Sequence, residues 1–76
     1  MNKYTQQQRN TEELARMEAR ADAYEGRMAA LADKLTTFTP RSLNYIIALT
    51  EIRRLQTRYL RVLARIQVLE AIAKGA

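Results

Sequence analysis

The stretch TFTPRSLN, Thr37 to Asn44, holds the only proline of a 76-residue chain, and its reading decides the fold. Proline disfavours the α conformation for the residue before it, here Thr39. It is welcome at the first helical position, where its missing N–H is not needed. Thr39 as N-cap with Pro40 at the first position therefore predicts a helix start. Thr36 and Thr37, just before, are poor helix-interior residues because β-branching restricts χ1. One helix is thus predicted to end and the next to begin with a turn near 36–39. Three threonines around the proline favour a turn over a kink in one long helix. So short a connection makes antiparallel neighbours of the two helices.

Outward from the turn, both arms carry heptad spacing. On the N-terminal side Leu14, Met17, Ala21, Tyr24, Met28, Leu31, Leu35 and Phe38 recur in steps of three and four, which keeps one apolar stripe on one helix face. Gly26 interrupts at a cost of about 1 kcal/mol against alanine, but the pattern crosses it. Asn10 and Glu13 have the spacing of a capping box, which would start this helix at residue 11. Residues 1–10, with the run Gln6-Gln7-Gln8, are then a polar tail or an extension of the helix. On the C-terminal side the seam is Ala48, Ile52, Leu55, Tyr59, Val62, Ile66, Leu69 and Ala73, with Gly75 suited to a C-terminal cap. The expected fold is all-α: a two-helix antiparallel, coiled-coil-like hairpin over 11–76, assembled into a bundle or larger oligomer.

The second arm has more apolar residues than one seam uses. Leu43, Ile46, Ile47, Leu49, Leu60, Leu63, Val68 and Ile72 lie outside the stripe. A helix apolar on several sides is normally buried on several sides, and one partner helix cannot do that. These eight are the candidate protein-binding or oligomer interface. Length points the same way. From a start at residue 11 the first helix is shorter than the second. Either the Gln-rich tail joins it, or Ile66 to Ile72 project and need cover from another molecule.

Charge adds a second feature. The chain carries 13 Lys and Arg against 8 Asp and Glu, a net charge of +5. Arg54, Arg58, Arg61 and Arg65 form one stripe, a candidate contact for an anion or nucleic acid. A solvated face that keeps an apolar helix soluble, or a site for an acidic protein, would look the same. Across an antiparallel seam, Arg20 falls towards Arg58, Arg27 towards Glu51 and Glu13 towards Arg65.

Catalysis is not expected. There is no histidine and no cysteine, which removes the commonest general base and the thiolate ligands. The carboxylates Glu12, Glu13, Glu18, Asp22 and Glu25 share one helix and read as surface charge. No cofactor, metal site or membrane insertion is expected. The N-terminus has no apolar core of a signal peptide, so the chain is expected to be cytoplasmic or exported without a classical signal.

The arrangement KL-TTFTP-RSL-NYIIAL, followed by a long amphipathic helix, resembles the small helical hairpins of bacterial type III secretion. These are needle and inner-rod subunits and the small co-chaperones that hold needle subunits. The resemblance covers about residues 31–72 and rests on Leu35, Pro40, Leu43 and the apolar spacing after them. It implies a non-enzymatic module that assembles with itself or clamps a partner helix. The rival expectation is a small, basic, dimeric nucleic-acid-binding protein of phage or plasmid regulator type. Salt separates the two, since phosphate binding weakens steeply in salt and apolar association does not.

Overall fold

The computed structural model describes residues 3–75. It contains two helices, α1 (Lys3–Leu35) and α2 (Leu43–Gly75), each of 33 residues. They pack along their length as an antiparallel hairpin. The molecule is a rod, 57 Å long and 17 by 14 Å across. That cross-section is a helix pair, so the outer faces of both helices stay in solvent.

The turn ends α1 as threonine chemistry dictates. The N–H groups of Thr36, Thr37 and Phe38 donate to the carbonyls of Asp33, Lys34 and Leu35, tightening the last turn to three-residue spacing. The hydroxyls of Thr36 and Thr37 donate to the Asp33 and Lys34 carbonyls, both at 2.7 Å. Those carbonyls, which the helix end leaves without a fourth-residue donor, are thereby satisfied.

The start of α2 corrects the reading of Thr39 as N-cap. Thr39 and Pro40 instead begin a β-turn, closed by the Ser42 N–H on the Thr39 carbonyl at 3.0 Å. Arg41, at its third position, has φ 70°, as a type II turn with proline second requires. Ser42 is the cap: its Oγ accepts from the Tyr45 N–H at 3.2 Å and its carbonyl from the Ile46 N–H at 3.0 Å. Arginine in the left-handed region cannot be foreseen from a rule that reserves such positions for glycine, and that displaces the helix start by three residues.

At the outer ends the two expected caps are corrected, and of the two readings of the Gln-rich segment the helical extension holds. Asn10 is not a cap but lies within α1, where its Oδ1 accepts from Gln6 Nε2 at 3.1 Å. The Gln-rich segment is helical from Lys3, so α1 and α2 match in length. At the other end Gly75 closes α2 as its last helical residue, without the left-handed conformation of a glycine cap.

The core is a single line of side chains. Ala21, Ala48, Leu55, Val62, Ile66 and Leu69 are buried, and Leu69 is the most enclosed at 1% exposure. Leu14, Met17, Tyr24, Tyr59 and Leu63 pack half-buried around Ala21, Val62 and Ile66. Residues 7–14 of α1 reach the end of α2, where Gln7, Asn10, Thr11 and Leu14 line one recess with Leu69, Ile72 and Ala73. The register therefore covers Leu69 from within the chain.

Candidate interaction surfaces

Two ion pairs mark how the helices face each other. Glu13 accepts from Arg65 in a two-pronged contact, Nε at 2.8 Å and Nη2 at 3.0 Å. Arg27 pairs with Glu51 at 3.7 Å. Both pairs are centred on Thr39, so Lys3 is level with Gly75 and Arg20 is level with Arg58. On the opposite side of the seam the Tyr59 hydroxyl donates to Glu25 in a short hydrogen bond. Arg65 and, less strongly, Arg16 hold the Glu13 carboxyl below the usual carboxylate range. The Glu25 acceptor, with Asp22 nearby, holds the Tyr59 phenol above its usual value.

The predicted seam lies between the helices. Leu55, Val62, Ile66 and Leu69 are buried, while Leu14, Met17, Tyr24, Met28, Leu31, Leu35, Ile52 and Tyr59 are half-buried. Of the eight candidate interface residues, six are the exposed large aliphatics of the chain: Leu43 71%, Ile46 51%, Ile47 55%, Leu60 63%, Val68 48% and Ile72 46%. Leu49 and Leu63 are half-buried, at the edge of the core. That edge position follows from spacing, since both stand one residue from a seam position.

These residues are not one patch. Ile46, Leu49, Leu60 and Leu63 lie on a stripe of three- and four-residue steps that also passes Arg53 and Gln56. Leu43 and Ile47 stand at the turn end of α2, Val68 and Ile72 at its open end. Ile46 and Ile47 border an open groove of about 510 Å³ with Arg27, Glu51, Arg54 and Arg58.

Arg54, Arg58, Arg61 and Arg65 are all exposed on one stripe of α2. Only Arg65 of the four has an ion-pair partner among the described residues. Sequence reasoning placed the anion contact on α2 alone. The register adds Arg20 and Lys34, which stand at seven-residue intervals with Glu13 and Arg27 and so share their side of α1. Arg16, close enough to act on Glu13, joins them. The seven-residue spacing of Arg20, Arg27 and Lys34 was legible in the sequence, but no anion contact was assigned to it.

Among the described residues no helix is long and apolar enough to cross a membrane. The chain matches no protein-family model, no curated protein and no solved structure.

Proposed function

We propose that the chain is a non-enzymatic interaction module, a helical hairpin that pairs with a second copy of itself through the outer face of α2. The observation that carries this is the stripe Ile46, Leu49, Leu60 and Leu63, with Ile46 and Leu60 more than half exposed. The stripe is self-complementary. Two α2 helices laid antiparallel about a point between Arg54 and Leu55 bring Ile46 against the second copy's Leu63, and Leu49 against its Leu60. Each apolar position then meets an apolar position, as a two-fold interface demands.

The driving force is of useful size. Covering an aliphatic side chain contributes about 1.5–3 kcal/mol, and a hairpin with a one-line core has little stability of its own. The product is a four-helix arrangement of the kind short antiparallel hairpins build. Leu43, Ile47, Val68 and Ile72 lie off the stripe and give a larger assembly, or a clamped partner helix, its footing. The resemblance to type III secretion hairpins supplies a setting, as a secretion-system subunit or co-chaperone.

Cysteine trapping tests the pairing, because the chain has no cysteine of its own. A Leu49→Cys, Leu60→Cys double variant should form an intermolecular disulfide dimer under mild oxidation. Leu49→Cys alone should not, since its two copies would stand about 16 Å apart at 1.5 Å per residue. Equal cross-linking by single and double variants, or none by either, contradicts the pairing.

A further inference from the structure

The hairpin separates its charges by face, and the separation comes from the register. One side of the rod carries Arg16, Arg20 and Lys34 of α1 beside Arg54, Arg58 and Arg61 of α2, none in an ion pair. Of the eight carboxylates, Glu13 and Glu51 flank the seam on this side and are engaged by Arg65 and Arg27; Glu12 stands one turn before Arg16 at its outer edge. The acids Glu18, Asp22 and Glu25 recur in steps of four and three on the other side of α1, where Glu25 meets Tyr59. The positive excess of the chain, +5 overall, is therefore gathered on one face.

This placement works against the hairpin. The register sets Arg20 level with Arg58 across the seam, where like charges repel. Any of the three acids at position 20 would have completed a third pair like those at 13 and 27. A local conflict with no compensation inside the fold marks a surface shaped by something outside it.

We infer that this basic face binds the phosphodiester backbone of duplex nucleic acid, without reading its sequence. The face is straight and rigid, built on two helices, and its basic residues extend about 27 Å from Arg16 to Lys34 at 1.5 Å per residue. That matches about eight base pairs of a duplex, which carries one charge per roughly 1.7 Å of axis. Arginine suits phosphate through its planar fork of donors. The described aromatic side chains, Tyr24, Phe38, Tyr45 and Tyr59, are half-buried in the seam or the turn. None is placed to stack on an unpaired base, so the surface suits a duplex backbone and not a single strand. The apolar pairing uses a different stripe of α2, Ile46, Leu49, Leu60 and Leu63, which adjoins this face where Ile46 borders the groove of Arg54 and Arg58.

The test is binding of a fluorescent 20-base-pair duplex, as DNA and as RNA, across a salt series. The wild type should bind at about 50 mM salt and lose roughly a thousandfold in affinity by about 200 mM, as about six phosphate contacts require. Sequence should not matter. Arg20→Gln with Arg58→Gln should weaken binding to every duplex alike and reduce the log–log salt slope by about two. That variant relieves a repulsion, so circular dichroism should show its helices intact. Arg54→Gln with Arg61→Gln gives the same readout on the outer row. No binding at low salt, or binding unchanged in both variants, overturns the inference. So does a salt-sensitive self-association that Glu18→Gln with Asp22→Gln abolishes in the absence of duplex binding, which would assign the face to the acidic stripe of another copy. Light-scattering mass at high salt without nucleic acid reports on the apolar pairing separately.

Discussion

Arg41 holds φ 70° at the tip of the hairpin, where an L side chain crowds the following carbonyl at a cost of roughly 1–2 kcal/mol. Glycine pays no such cost there, although it has more freedom to lose on folding. Arg41→Gly should therefore raise stability by about 0.5–1 kcal/mol at fixed protein concentration, read from urea denaturation. A destabilised variant would mean that the arginine side chain makes a contact worth more than the strain. The cross-helix contacts make a second residue-scale prediction, in pH. Glu13 is held below its ordinary value of 4.5 by the Arg65 hydrogen bond. Its contribution is present above that value and is lost as pH falls through the lowered one. Tyr59 is held above its ordinary value of 10.0 by donating to Glu25. Its contribution is present below that value and is lost as pH rises through the raised one. Stability should form a plateau between about pH 5 and 9.5. Glu13→Gln should flatten the acid limb and Tyr59→Phe the alkaline limb of the urea midpoint against pH. The ion pairs were legible from the heptad positions of Glu13, Arg27, Glu51 and Arg65. The Ser42 cap was not, because Thr39 before Pro40 satisfies the same capping rule and only the conformation of Arg41 decides between them.

Gly26 sits inside the C-terminal half of α1, with open space where a Cβ would project. Gly26→Ala should stabilise the hairpin by about 0.4–1 kcal/mol, partly through the unfolded chain. A loss on thermal melting would show that something outside the hairpin approaches the helix there. The two heptad runs made both helices legible, since apolar side chains at three- and four-residue steps serve no other regular element. The helicity of residues 3–10 stood in the sequence only as one of two alternatives. Gln6, Gln7, Gln8 and Arg9 have no apolar rhythm, and the Asn10–Glu13 spacing imitates a cap. Their setting is tertiary: with Glu13 opposite Arg65, residues 3–10 run beside the end of α2, and Gln7, Asn10 and Leu14 line one recess with Leu69 and Ile72.

At the scale of the whole molecule, the rod has a core one side chain wide and presents different chemistry on its two long sides. The apolar surplus of α2 was legible as residues beyond the seam, and helical spacing separated Leu60 and Ile46 from Val62 and Leu55. The basic side was only half legible. The stripe on α2 follows from its own spacing, and the antiparallel register already set Arg20 towards Arg58; what was not read is that Arg16 and Lys34 extend the same face. Whether the outer stripe of α2 pairs two copies is read from light-scattering mass in solution, for the wild type and for Ile46→Ser with Leu60→Ser, at low and high salt. The wild-type mass should be at least twice 8.8 kDa and hold in high salt, and the variant should fall towards the single-chain mass. A wild type that stays folded at 8.8 kDa at micromolar concentration would contradict the pairing.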